Sequence, residues 1–249
     1  MVTMLIPIEG IPELSPGDDL AEILSIALES ARVGVKAGDV LVVCQKVVSK
    51  VEGRVAVLAE VEVSEKARRF AAEHDKEAAL VELALRESTE VLRMTKGHLI
   101  TATGPGWVCA NSGVDRSNQS AEGEATLLPV DADKSASLLR ERLERRFGVS
   151  LAVVITDTFG RAWRLGQVDL AIGSSGIEVL RDYGGREDGS GRPLEHTVVA
   201  VVDQLAAASG LVVGKNEGIP AVLVRGYCYA GSEEPASRLI RPAADDLFR

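Results

Sequence analysis

Short signatures of the commonest nucleotide and hydrolase sites are missing from this 249-residue chain. There is no GxxxxGK[ST] and no GxGxxG after a strand-like run, which excludes a P-loop and a dinucleotide fingerprint. Gly214-Lys215 has neither the upstream glycine nor the following hydroxyl of such a phosphate cradle. No GxSxG occurs, which argues against a nucleophile-elbow hydrolase. Three histidines, His74, His98 and His196, do not fall at metal-ligand spacing. Cys44, Cys109 and Cys228 are odd in number, far apart and without a CxxC, so no disulfide framework is indicated and all three read as small buried hydrophobes. The first ten residues carry neither a basic region nor a cleavage site, so no secretory leader is expected. The most apolar stretch, 197–213, is interrupted by Asp203 and Gln204 and is too short for a bilayer span. A soluble, cytoplasmic protein without a membrane partner is expected. With net charge −9 and no concentrated basic run, nucleic acid is not an expected partner either. An anionic substrate would need a local basic pocket working against that global field.

What is present is ordinary globular material, 46% hydrophobic and 26% charged, which excludes wholesale disorder. The length suffices for one large or two small domains. The central stretch is LAVVITDTFGRAWRLGQ, residues 151–167. Leu151 to Ile155 read as a strand buried on both faces, giving way to Thr156-Asp157-Thr158 and a turn signal at Phe159-Gly160. Asp157 and its hydroxyl neighbours stand where a buried strand surfaces, a common ligand crevice in α/β proteins. Oxygen ligands of this kind suit Mg²⁺, and Arg161 and Arg164 just beyond could grip phosphate or carboxylate. Asp157 as the cap of a turn is the alternative, and the residues alone leave both open.

Elsewhere, 4–8, 40–44, 98–103, 107–111 and 221–224 read as strands. Asp18 can cap a helix over 19–32, Ser64 another, and Asp75 a third running to Glu87, with Glu77 and Glu82 on solvated faces. Residues 135–147 form an amphipathic helix with Leu138, Leu139, Leu143 and Phe147 inward, and 195–209 a long helix ending at Gly210. Lys46 and Lys50 follow a buried strand and could meet phosphates or merely solvate its end. Asp115 and Asn118 lie in the polar loop NSGVDRSN, as ligands or as Asx-turn residues. The glycine-rich loop 183–193 could close over a substrate or simply link two elements.

With these segments in view, the chain resembles the coenzyme F420-0:γ-glutamyl ligase family, F420 being a deazaflavin cofactor. The matches are PIEGIPELSPGDDL, DVLVVCQKVVSKVEGR, NSGVDRSN, VVITDTFGRAWRLGQVDLAIGSSGI and IPAVLVRG, in that order and along essentially the whole chain. RAWRLGQ and RPAADDLF bring it nearest the ligase half of the actinobacterial two-domain form. That form continues into a nitroreductase-like domain where this chain stops. A single ligase domain over 1–249, without the reductive step, is therefore expected.

The resemblance implies an α+β fold of mixed sheets with flanking helices, in two subdomains and an interlocked homodimer. It implies a GTP-dependent amide ligase that adds one or more L-glutamates to coenzyme F420-0, then F420-1, through an acyl phosphate, releasing GDP and phosphate. Carried over position by position, Asp115 and Asp157 would bind one Mg²⁺ or Mn²⁺ and Thr158 a second, with K⁺ a further candidate. Ile11, Pro12, Glu13, Leu14, Gln45, Lys46, Lys50 and Asn118 correspond to nucleotide-contacting positions, as does the turn Gly214, Lys215, Asn216, Glu217, Gly218. Some family members carry an acidic ligand of the second ion where this chain has Lys215. Asp157 is also assigned to catalysis, and Arg161 and Arg164 are assigned by charge to the acceptor's phosphodiester or carboxylate. A ligase for another acceptor and a non-catalytic deazaflavin- or nucleotide-binding protein are the competing readings.

Overall fold

A computed structural model describes residues 2–117, 123–214 and 217–247. The first part of the chain runs β1 (Met4–Ile8), α1 (Leu20–Ser30), β2 (Val40–Cys44), α2 (Gln45–Val51) and β3 (Val55–Val57). Next come α3 (Glu65–His74), α4 (Ala78–Arg86), β4 (Ser88–Thr95), β5 (His98–Thr103), β6 (Val108–Ala110) and β7 (Glu124–Thr126). The remainder is α5 (Ala132–Phe147), β8 (Ala152–Arg161), β9 (Arg164–Ser175), β10 (Leu180–Asp182), β11 (Val198–Ala200), α6 (Val201–Val213) and β12 (Ala221–Arg225). This is an α+β arrangement with mixed sheets, as expected.

The main sheet has the order β1-β12-β2-β8-β9, and only β2 and β8 pair in parallel. Their apolar runs suit a position covered on both sides. Leu41, Val43, Val153 and Ile155 face Leu24 and Leu28 of α1 and Leu139 and Leu143 of α5. The alternate residues Val40, Val42, Ala152 and Val154 face Val202 and Leu205 of α6. The result is three layers, helix on sheet on helix, with the period-two alternation of the strands dividing their side chains between two cores. Residues between β3 and β7 build smaller sheets, β4-β5-β6 and β3-β7. Phe70, Val81, Ala84 and Leu99 form one small core there, and Leu58, Leu83, Ala125 and Leu127 another. No helix among the described residues is long and apolar enough to cross a membrane.

Several expectations need correction. The central strand does not turn at Phe159-Gly160: β8 continues to Arg161 and doubles back as β9, with register shifts beyond Ile155 and beyond Gly160. Asp157 therefore lies within a strand and caps no turn. Past Cys44 the chain becomes helix α2, which sets Lys46 and Lys50 one turn apart. Asp19, not Asp18, caps α1 by accepting from the Glu22 N–H at 3.0 Å, while Asp18 closes a turn on Ser15. Asp75 ends α3 in a left-handed conformation instead of starting α4. Glu82 is buried, where Ser64 donates to it through backbone and hydroxyl and Arg86 through its guanidinium. Those donors hold its carboxyl below the usual range, with the Ser64 hydroxyl contributing most. Leu138 of α5 is exposed. The 183–193 segment is stapled by its own contacts, including Asp188 accepting from the Ser190 and Arg192 N–H groups, and it extends the β10-β11 ribbon. The last long helix starts later than expected because its β-branched approach, Val198–Ala200, pairs as β11. It passes through Gly210 and ends at Val213.

Helix α5 approaches the sheet closely at Gly173 of β9. A Cβ there would lie 2.4 Å from the Ala132 carbonyl carbon and oxygen. Both are backbone atoms of the first turn of α5, so the contact cannot relax by side-chain rotation. Gly173→Ala is expected to lower stability by on the order of 1–3 kcal/mol, read as a drop in the urea midpoint. A wild-type midpoint would contradict this packing.

Candidate active site

The carboxyl ends of the parallel strands β2 and β8 open into a cavity of about 720 Å³. The parallel register carries Cys44 opposite Thr156, so helix α2 and the Asp157-Thr158 segment leave the buried sheet side by side. Lys46 and Lys50 project from α2 into this cavity, and the 11–14 loop after β1 forms its neighbouring wall. Lys46 Nζ lies 2.8 Å from Asp115 Oδ2 and also donates to Ser117 Oγ. Lys50, largely buried, pairs with Glu13.

The loop carrying Asp115 is held from three sides. Asn111 and Ser112 both adopt left-handed backbone conformations, φ 53°, uncommon for serine and unfavourable without compensation. The compensation is visible: Ser112 Oγ donates to the Ala84 carbonyl at 2.6 Å, and Ser112 N donates to Thr101 Oγ1 at 3.0 Å. Beyond the bend, Asp115 exchanges backbone hydrogen bonds with Thr126 at 2.8 and 3.0 Å. Its carboxylate accepts from Ser117 N at 2.7 Å. Asx-turn chemistry is therefore present, but the same carboxylate also faces Lys46 across the cavity. Burial opposes ionisation of Asp115, yet the bonds from Lys46 and Ser117 outweigh it and hold the carboxyl below its usual range.

Asp157 has the opposite balance. Burial pushes its carboxyl up to about 6, with Asp115 and Asp169 adding repulsion, against the Thr158 N–H and the Lys46 charge. Cys44 and Cys109 also line the wall, and burial pushes the first thiol up and the second to about 12. Both stay protonated, so neither is a nucleophile. Cys228 is exposed and Cys44 only half-buried, so the reading of all three cysteines as buried holds for Cys109 alone.

Of the sequence candidates, Ile11, Pro12, Glu13, Leu14, Lys46, Lys50, Asp115, Asp157, Thr158, Gly214 and Gly218 all line this one cavity. Gln45 does not; it is buried beside it, accepting from Ser49 Oγ at 2.7 Å. Glu217 lies against Gly214, outside the wall. Asn118, Lys215 and Asn216 lie outside the described residues. Arg161 and Arg164 sit at the exposed end of the β8-β9 hairpin, away from the wall, where Arg161 Nη2 donates to the Leu165 carbonyl at 2.6 Å. Among the polar wall residues not singled out from sequence are Asp169, which faces Thr158 from β9, and Ser209 of α6. No spacing rule marks Asp169, because only the hairpin register brings it opposite Thr158.

Among the described residues, no three or more His, Cys, Asp or Glu side chains are grouped to hold a metal unaided. The carboxylates and hydroxyls present are hard oxygen donors, suited to a cation that draws its remaining ligands from phosphates and water. An acidic floor beside two lysines in a cleft at a strand end is an arrangement that handles phosphate.

Comparison with known proteins identifies the family. Residues 10–226 match the family model described as F420-0:Gamma-glutamyl ligase. The chain belongs to this family of ligases, enzymes that form C–N bonds. Proteins named coenzyme F420:L-glutamate ligase are similar along almost the whole length. The one from Methanothermobacter thermautotrophicus is 41% identical over 98% of both chains. The one from Archaeoglobus fulgidus is 44% identical over 98% of this chain and 95% of its own. The one from Methanopyrus kandleri is 43% identical over 97% of each.

The raised carboxyl of Asp157 has a measurable cost. Its folded pKa lies above the ordinary 3.8, so the metal-free protein loses stability as pH rises from about 4 through about 6. Asp157→Asn removes that ionisation. In chelator, at pH 8, the variant is expected to be more stable than wild type by on the order of 1–3 kcal/mol, with the gap closing below pH 4. Urea unfolding at both pH values measures it. An equally or less stable variant at pH 8 would contradict the assigned burial.

Proposed function

We propose that this chain catalyses GTP-dependent addition of L-glutamate to coenzyme F420-0. The observation that carries this reading is the convergence of Lys46, Lys50, Asp115 and Asp157 on one cavity. The family and the names of its relatives supply the amide-forming chemistry and the substrates. A carboxylate of the acceptor attacks the γ-phosphorus of GTP, the bond to the bridging oxygen breaks, and GDP leaves. The amine of glutamate then attacks the acyl phosphate, forming the amide and releasing phosphate. Such chemistry needs little covalent help and much neutralisation of phosphate charge.

The donor set fits Mg²⁺ or Mn²⁺, and the Ser209 hydroxyl, buried in the same wall without a hydrogen-bond partner among the described residues, marks a place where a ligand group is wanted. Asp115 and Asp157 would hold one cation and Thr158 a second, with K⁺ a further candidate nearby. Once bound, such cations offset charge on the phosphates. Lys46 and Lys50 exchange their carboxylate partners, Asp115 and Glu13, for phosphate oxygens. The 11–14 loop, Gly214 and Gly218 border the nucleotide. Arg161 and Arg164 stand too far out along the hairpin to serve the phosphates and are kept for the acceptor's own charges. The same reading includes two subdomains and a homodimer. It is supported by the hairpin tip, where Trp163 is 80% and Leu165 98% exposed, an apolar surface that a second copy would cover. A cytoplasmic location belongs to it too.

Incubation with GTP, Mn²⁺ or Mg²⁺, L-glutamate and F420-0, followed by mass spectrometry, tests the reading. The expected result is a gain of one or more glutamyl residues with one GDP per addition. Asp157→Asn should lower turnover at least about 10²-fold while remaining folded. Absence of any gain despite tight acceptor binding would overturn the ligase reading, and unimpaired turnover by the variant would remove Asp157 from the site.

A further inference from the structure

The hairpin register sets Asp169 of β9 directly opposite Thr158 of β8. Thr158 Oγ1 donates its proton to Asp169 Oδ1 at 2.5 Å, a length typical of a hydroxyl bonded to a charged carboxylate. The bond commits the hydroxyl proton to the carboxylate, and Thr158 itself lines the cavity. A serine or threonine hydroxyl is an indifferent rotor unless something fixes it, and here the carboxylate fixes it.

The opposite wall is shaped around the same carboxylate. Gly210 is an interior residue of α6, where glycine is unfavourable relative to alanine. A Cβ at Gly210 would stand 2.7 Å from Asp169 Oδ2, so the missing side chain is what lets the helix close over the carboxylate. The neighbouring Ser209 presents to the cavity the buried hydroxyl that has no hydrogen-bond partner among the described residues. A helix weakened by glycine, a hydroxyl without a hydrogen-bond partner among the described residues and a carboxylate bonded to Thr158 coincide in one corner.

We propose that Asp169 is the positioning residue of the Thr158 cation position, acting through the Thr158 hydroxyl, with Gly210 providing its room. This rests on the ligase reading, in which Thr158 meets the second ion. Asp169 brings a carboxylate charge to this corner of the cavity.

Mn²⁺ binding to the full chain with a non-hydrolysable GTP analogue, followed by the electron paramagnetic resonance signal of free Mn²⁺, separates the outcomes. Wild type should take up two ions. Asp169→Asn should weaken one of them about 10–100-fold and leave the other unchanged. Gly210→Ala should do the same with an unchanged or raised Tm, because alanine favours the helix while displacing only the carboxylate. Thr158→Ser should retain both ions. Thr158→Val should lose the same ion, and adding Asp169→Asn to it should cause no further loss. Wild-type affinity for both ions in Asp169→Asn and Gly210→Ala would overturn the proposal and leave the ligase reading standing. Equal loss of both ions with a lowered Tm in both variants would make the role merely structural and overturn it as well. A wild-type protein that takes up no Mn²⁺ would remove the metal part of the functional reading, and this inference with it.

Discussion

Parallel pairing of Val40–Cys44 with 152–156 is the constraint on which the cavity depends. Two strands running the same way end at the same edge, and the segments that leave them must then share one crevice. One continues as a helix carrying Lys46 and Lys50, the other as Asp157 and Thr158. The pairing is held because both strands are apolar on both faces. Val153 and Ile155 are fully buried against α1 and α5, and Ala152 and Val154 are equally buried against α6. A slip of one residue would exchange the two faces and carry Asp157 out of its place.

That placement makes the site electrostatically costly and chemically useful for the same reason. Two further aspartates, Asp115 and Asp169, lie close enough for their charges to be felt at Asp157, in a chain whose net charge is already −9. One lysine, Lys46, offsets part of this, and its bond to Asp115 divides the aspartates into unlike groups. Asp115 is held ionised, while burial makes Asp157 reluctant to ionise. Charge of this kind is relieved by a cation, and in the proposed reading that cation would bring phosphate to the lysines. In the proposed reading, this local field accepts a metal-bound polyphosphate against the repulsion of the molecule as a whole.

Much of this was legible in the residues. Uninterrupted apolar runs marked the strands at 40–44 and 221–224, and an amphipathic stripe marked most of α5, because burial writes itself into composition. Asp157 and Asp115 were legible because each stands where an apolar run gives way to polar residues. What could not be read were features set by long-range pairing. Beyond Ile155 the strand loses its apolar signature, since its outer half leaves the core, so its continuation to Arg161 looked like a turn. Asp169 became a site residue only through the register of that hairpin. The same extension displaced Arg161, which lies four residues of extended chain, about 13 Å, from Asp157. The left-handed Ser112 also left no mark in sequence, since its conformation is enforced by Ala84 and Thr101 from elsewhere in the chain.

The most direct test of the account is a crystal structure of the full chain with a non-hydrolysable GTP analogue and Mn²⁺, with the ions located by their anomalous scattering. The account predicts phosphates beside Lys46 and Lys50, one anomalous peak between Asp115 and Asp157, and a second at Thr158. Nucleotide bound outside this cavity, or Mn²⁺ peaks remote from Asp157, would contradict it.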